Sequence, residues 1–228
     1  MILNIETSSK ICSVALSESG MVVFSLNSET EMDHASKLGP YVDRCLKELE
    51  RHDKQLEAVA VSMGPGSYTG LRIGLSMAKG LCFGLNLPLI GISTLELLAV
   101  KAMFEDPDFY DNTVFVPLID ARRMEVYTAA YNMALEEVMS PQSLILDENS
   151  FKELTGRRII MIGDGVEKAR RILEIEVTRW IDKMPLASDM TALAERALIN
   201  RNFIDLAYST PNYLKNFQAT TPKKNIIC

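Results

Sequence analysis

The residues best able to do chemistry are concentrated in one stretch, Gly-Pro-Gly-Ser-Tyr-Thr-Gly-Leu-Arg-Ile-Gly at 64–74, which follows a short apolar segment and opens a helical pattern. Six of the chain's 12 glycines fall between positions 64 and 84, which points to close backbone approach there. Free amides at the start of a helix hold anions, so Gly64, Gly66, Ser67 and Thr69 are candidate phosphate contacts. The lysine-bearing phosphate loop is nevertheless missing. No Lys-Ser or Lys-Thr follows Gly70, so that motif's lysine and magnesium-binding hydroxyl are absent. A plainer reading makes Thr69 the helix N-cap and leaves Gly64 and Gly66 to form a turn.

Other constellations are thinner. Glu6 and Asp120 each end an apolar segment and, facing one another across a cleft, would form an acid–base pair; with Arg122 they are also candidate anion or nucleotide contacts. Carboxylates at strand ends more commonly bind backbone amides. His34 would need a second histidine at position 38 to make a metal-binding His-x-x-x-His pair, and Leu38 stands there. His52 is too far along the same helix face to replace it, so a capping or packing role is expected for His34. There is no Gly-x-Ser-x-Gly, and the two histidines fit no hydrolase triad.

The helix after the glycine loop suggests a second use for its small residues. Gly70, Gly74 and Ala78 are spaced by four, as are Gly80 and Gly84, with Leu71, Ile73, Leu75, Met77, Leu81 and Phe83 between them. Glycine costs about 1 kcal/mol against alanine inside a helix, so its repetition implies close packing, either within this chain or against a partner.

The elements that must position these residues follow from hydrophobic period. Alternation predicts a three-stranded antiparallel meander over 2–6, 11–17 and 21–26, then an amphipathic helix over 35–49 with Pro40 in its early turns. Strands at 58–62 and 88–92 alternate with helices at 69–85 and 94–104, as parallel additions to the meander require. Acidic and turn-forming residues over 105–112 mark a boundary, which divides the chain into lobes of 1–105 and 106–228. The second half opens like the first, with strands at 114–119, 124–131 and 143–146, a helix at 148–154, a strand at 158–162 and helices at 164–173 and 190–200. In both halves a carboxylate ends the first strand and a polar turn follows, at 6–10 and at 120–124. That repeat is what an α/β, two-lobed fold of the actin type would leave, with both hairpin turns lining the cleft.

Composition narrows the classes. A net charge of −6 and a pI near 5.1 argue against a protein whose main work is neutralising phosphates, although a local basic patch stays compatible with them. The 47% hydrophobic content is that of a folded globular chain. Cys12, Cys45, Cys82 and Cys228 show no metal spacing and read as single thiols in a reducing compartment. With no leader pattern and no membrane-length apolar run, a cytoplasmic protein is expected.

Four segments together carry a resemblance. They are Ile-Glu-Thr-Ser at 5–8 with Cys-Ser-Val-Ala-Leu at 12–16, the glycine-rich 64–74, Asp-Ala-Arg-Arg at 120–123 with Glu-Val-Tyr at 125–127, and Pro-Asn-Tyr-Leu-Lys at 211–215. Gly-Asp-Gly at 163–165 fits as well. The chain resembles the bacterial TsaB (YeaZ) family, a degenerate relative of the TsaD proteins in the actin-like ATPase, ribonuclease H-like superfamily. The resemblance implies two lobes, each a mixed sheet flanked by helices. It also implies a non-catalytic scaffold or activator required with TsaD and the ATPase TsaE to transfer threonylcarbamoyl to the adenosine beside the anticodon of tRNAs reading codons that begin with A. TsaD would bind through the N-terminal lobe, at Leu38, Val42, Cys45, Gly70, Gly74, Met77, Ala78 and Leu81. Contact with tRNA would be indirect, and the same helices could pair two copies in isolation.

Departures from the pattern carry their own consequences. TsaD-like members hold the His-x-x-x-His metal site, and Leu38 leaves this chain with no metal expected and no metal-bound water for the protease activity once attached to the superfamily. No cofactor of its own is expected beyond weak ATP or ADP binding at the cleft or a subunit interface. The rival reading is an independent ATP-binding transferase or kinase built on Glu6, Asp120 and the 64–70 loop.

Overall fold

The computed structural model describes residues 1–28, 33–106, 108 and 110–214. Lys215 of the 211–215 motif and Cys228 lie outside the described residues.

The first lobe is built on the meander β1 (Ile2–Glu6), β2 (Ser13–Glu18) and β3 (Met21–Asn27). After α1 (His34–Arg51), β4 (Ala58–Gly64) joins β1 in parallel; α2 (Tyr68–Leu85) leads to β5 (Leu89–Ser93), giving the order β3-β2-β1-β4-β5. α3 (Thr94–Glu105) then crosses to the second lobe, where β6 (Thr113–Asp120), β7 (Glu125–Tyr131) and β8 (Glu137–Ile145) form another antiparallel meander. β9 (Arg158–Ile162), α4 (Val166–Arg170) and β10 (Arg179–Ile181) complete an order of β10-β9-β6-β7-β8. Numbered from its own first strand, the second sheet has the connectivity of the first.

The central strands are buried on both faces. Leu3, Ile5, Val59 and Val61 point to one side, where Leu38, Val42, Cys45 and Leu49 of α1 and Leu75, Ala78 and Cys82 of α2 cover them. Ile2, Ala58, Ala60 and Ile90 point to the other, under Leu97 and Val100 of α3 and under Leu193 and Ala194 of α5 (Thr191–Ile199). The opposite face of α3 packs on the second sheet, with Leu95, Leu98 and Ala102 against Phe115, Ile119 and Ile160. One helix thus serves both lobes.

A cut at 105/106 separates the two sheets but not the packing. α5 lies on the first sheet, Ile204 N donates to Leu89 O at 2.9 Å, and Asn212 N donates to Met63 O at 2.6 Å, so the chain returns to the lobe where it began. The crossing at 184–190 is held by Lys101 Nζ, which donates to Met184 O at 2.9 Å and to Asp189 Oδ2 at 2.8 Å, and by Ala187 N donating to Ser13 Oγ at 2.8 Å.

Three of the expected elements differ in extent or type from the sequence reading, and β10 has no counterpart in it. The strand expected at 143–146 starts at Glu137, because its first half alternates across an exposed sheet edge where Pro141 needs no ladder bond. The helix expected at 148–154 is one 3-10 turn, Lys152–Leu154, since Asp147 Oδ1 accepts from Asn149 N and Ser150 Oγ and holds the chain in a turn. The helix expected at 164–173 shortens to α4.

Candidate interaction face and inter-lobe seam

The glycine loop is shaped by contacts within the chain. A Cβ on Gly66 would overlap Ser8 O, and one on Gly64, whose φ is +99°, would meet Asn212 O at 2.9 Å. Ser67 N donates to Ser8 O at 2.6 Å, which ties the loop to the β1–β2 turn. The helix cap is Ser67, whose Oγ accepts from Gly70 N at 3.2 Å; Thr69, expected to cap, lies exposed inside α2 because the helix starts at Tyr68.

The small residues of α2 separate into two groups. A Cβ on Gly70 would overlap Thr7 O and one on Gly74 would overlap Thr7 Oγ1, so these two glycines seat α2 on the end of β1. Among the described residues, a Cβ on Gly80 or Gly84 would meet nothing within 4 Å. Of the residues expected to touch a partner, Leu38, Val42, Cys45 and Ala78 are buried in the lobe's own core, and Gly70 and Gly74 are closed off by Thr7. Only Met77 and Leu81 reach the surface.

These two belong to a face whose extent spacing alone did not reveal. Ile73, Met77 and Leu81 form a half-exposed apolar row flanked by Arg72, Ser76 and Gly80, and with Ala35 of α1 they line an open hollow of about 660 Å³. Phe83 stands 83% exposed near the C-terminal end of α2. The near end is fixed by the returning segment. Arg72 lies over the Tyr68 ring at 4.0 Å and donates to the Tyr213 hydroxyl at 3.1 Å, while Lys79 Nζ donates to Ala207 O at 3.0 Å and to Ser209 O at 2.8 Å. No pattern in the sequence announced that strap; only the turn-rich composition after 200 set it apart.

The strand-end carboxylates do what such groups commonly do. Glu6 Oε1 accepts from Ser8 N at 2.5 Å, and Asp120 Oδ1 accepts from Arg122 N at 2.6 Å. Asp120 is also paired with Lys168 Nζ at 2.7 Å. Glu6 is fully buried on the side of the sheet that meets α3 and 184–190. Burial pushes its carboxyl up to about 7 against the opposing hydrogen bonds from Ser8 and Ser62. Among the described residues the buried hydroxyl of Thr94 has no hydrogen-bond partner. Ser8 and Thr94 line a cavity at the seam with Ser9, Leu98, Ile119, Asp164 and Pro185; its interior is about 20 Å³, room for one water and far too little for a nucleotide. Asp164 there is raised above the usual carboxylate range, chiefly by burial, and accepts from Asp120 N at 2.8 Å.

His34 is the first residue of α1 and buried, and its ring is held below the usual histidine range mainly by burial. Leu38 one turn on is a core residue, so the position a second histidine would need is filled by packing. Among the described residues, no helix is long and apolar enough to cross a membrane.

Two like-connected lobes sharing α3 are the architecture of the actin-like ATPase class. At that level an inorganic polyphosphate/ATP-glucomannokinase from Arthrobacter aligns with 87% of this chain and 98% of its own, at a TM-score of 0.50 and 9% identity, which speaks for the fold alone. YeaZ from Pseudomonas aeruginosa aligns over 93% of this chain and 99% of its own, at a TM-score of 0.75 and 26% identity. The tRNA threonylcarbamoyladenosine biosynthesis protein TsaB of Escherichia coli is 31% identical over 94% of each chain. A family model described as TsaD, tRNA N6-adenosine threonylcarbamoyltransferase, matches residues 27–224. The chain belongs to the TsaB (YeaZ) family of tRNA threonylcarbamoyladenosine biosynthesis proteins.

Proposed function

We propose that this chain is a non-catalytic scaffold or activator subunit. It would work with TsaD and the ATPase TsaE in transferring threonylcarbamoyl to the adenosine beside the anticodon of tRNAs that read codons beginning with A. The observation that carries the reading is the face of α2: an apolar row of Ile73, Met77 and Leu81, beside Gly80 and Gly84, where among the described residues a Cβ would meet nothing within 4 Å. An exposed helix bearing apolar side chains and bare backbone is suited to receive another helix at short range. TsaD is the partner assigned to it, and a second copy of this chain would take the same place in isolation.

The chemistry of the seam supports a role without catalysis. Asp120 is neutralised by Lys168, Glu6 is sealed from solvent, and a 20 Å³ cavity admits no substrate of this reaction. Under this reading the rival transferase or kinase lacks a reactive centre, and any weak ATP or ADP binding belongs to a subunit interface. Contact with tRNA occurs within the assembly.

The test is a reconstituted modification reaction containing TsaD, TsaE, the threonylcarbamoyl-adenylate-forming enzyme, threonine, bicarbonate and ATP, run with and without this chain. Dependence of modification on the chain is the expected result. Equal modification without it would overturn the proposal, and ATP turnover by the chain alone would favour the rival reading.

A further inference from the structure

The two hairpin turns that the repeat places in corresponding positions are used differently. In the first lobe Ser8 is covered by the glycine loop, with its carbonyl bonded to Ser67 N and its amide to Glu6. In the second lobe the corresponding turn is exposed and basic. Arg122 and Arg123 stand there at φ +69° and +50°, two consecutive non-glycine residues in the left-handed region. Such pairs persist only where the surroundings hold them.

Lys168 does the holding. Its Nζ donates to Asp120 Oδ1 at 2.7 Å, to Arg123 O at 2.8 Å and to Glu125 O at 3.0 Å, and Asp120 Oδ1 also accepts from Arg122 N. The lysine therefore neutralises the neighbouring acid and satisfies the turn's carbonyls. The two guanidinium groups take no part in this. Both arginines are exposed, and among the described residues neither side chain makes a hydrogen bond or an ion pair. On a chain of net charge −6, a rigid turn presenting two adjacent free arginines is a local exception.

We propose that Arg122 and Arg123 bind RNA phosphates, so that the β6–β7 turn supplies a direct contact to the tRNA backbone when the chain is assembled with TsaD. Arginine's planar fork matches phosphate oxygens in pairs, and a turn fixed beforehand loses little freedom on binding. The inference rests on the proposed function for its source of phosphate.

The experiment measures tRNA affinity of the complex between this chain and TsaD across a range of salt. It compares the wild type with Arg122→Gln/Arg123→Gln and with Arg122→Lys/Arg123→Lys. Assembly is followed by size-exclusion chromatography and folding by Tm. The expected result is about a tenfold loss of affinity for the double glutamine variant and a slope of log K against log salt shallower by about 1.5, from two lost phosphate contacts. The lysine variant should keep most of the slope, with assembly and Tm unchanged in both. Unaltered affinity and slope would overturn the inference, and loss of assembly instead would make the turn a protein contact. Modification that depends on the chain while its addition leaves tRNA affinity unchanged would sink this inference alone; modification independent of the chain would sink the proposed function.

Discussion

Gly74 of α2 lies directly against Thr7 at the end of β1: a methyl group on the glycine would overlap the threonine hydroxyl oxygen. That contact, with the matching one between Gly70 and Thr7 O, fixes how deeply α2 sits on the sheet and which of its faces is left outside.

Gly74→Val should therefore destabilise the fold by about 1–3 kcal/mol through overpacking. Gly80→Ala should stabilise it by up to about 1 kcal/mol, because position 80 is open and alanine is the better helix former. Thermal unfolding of the two variants should move in opposite directions. A bulky residue at Gly74 or Ala78 is thus a poor probe of an interface, since both are closed within the lobe.

Met77→Glu and Leu81→Glu should leave stability within about 1 kcal/mol of the wild type, as surface changes usually do, and weaken TsaD binding by about tenfold or more. Size-exclusion chromatography and calorimetric titration of the purified pair check this. Unchanged affinity in both variants would remove the α2 face from the interface.

Glu6 should make stability depend on pH in a direction unusual for a carboxylate. Its folded value of about 7 lies above the ordinary 4.5, so between those values the folded chain keeps a proton that the unfolded chain releases. Stability from this group is full below about pH 4.5 and is lost as pH rises through about 7, by on the order of 3 kcal/mol. Denaturant unfolding of the wild type and Glu6→Gln from pH 5 to pH 8 should show that difference between the two slopes. Parallel curves would contradict it.

Lys101 and Asp189 join α3 to the crossing segment as a mostly buried pair. Lys101→Met strands the carboxylate and frees Met184 O, and should cost about 3 kcal/mol. A double-mutant cycle with Asp189→Asn should be strongly non-additive, because both changes remove the same bond.

Much of this architecture is legible in the residues themselves. Alternation over 2–26 and again after 113 gives the two meanders, and the helical periods between 35 and 104 give α1 to α3. β10 escaped notice because three residues, Arg179–Ile181, carry no period. The partner face was harder to read for a physical reason. α2 is apolar nearly all round, so its period cannot say which stripe the lobe consumes; only the contact with Thr7 decides that Gly70, Gly74 and Ala78 face in and Ile73, Met77 and Leu81 face out. The N-cap was misplaced by two residues because both Ser67 and Thr69 can cap, and the amide geometry chose the serine. Lys168 gave no signal at all, since its three acceptors lie more than forty residues away in the chain.

The most direct measurement is tRNA modification in the reconstituted reaction with this chain supplied as the wild type or as a folded Met77→Glu/Leu81→Glu variant. The account predicts strong modification with the wild type and near-background modification with the variant, restored in part when its concentration is raised far above that of TsaD. Equal modification by both, or full modification with neither present, would contradict it.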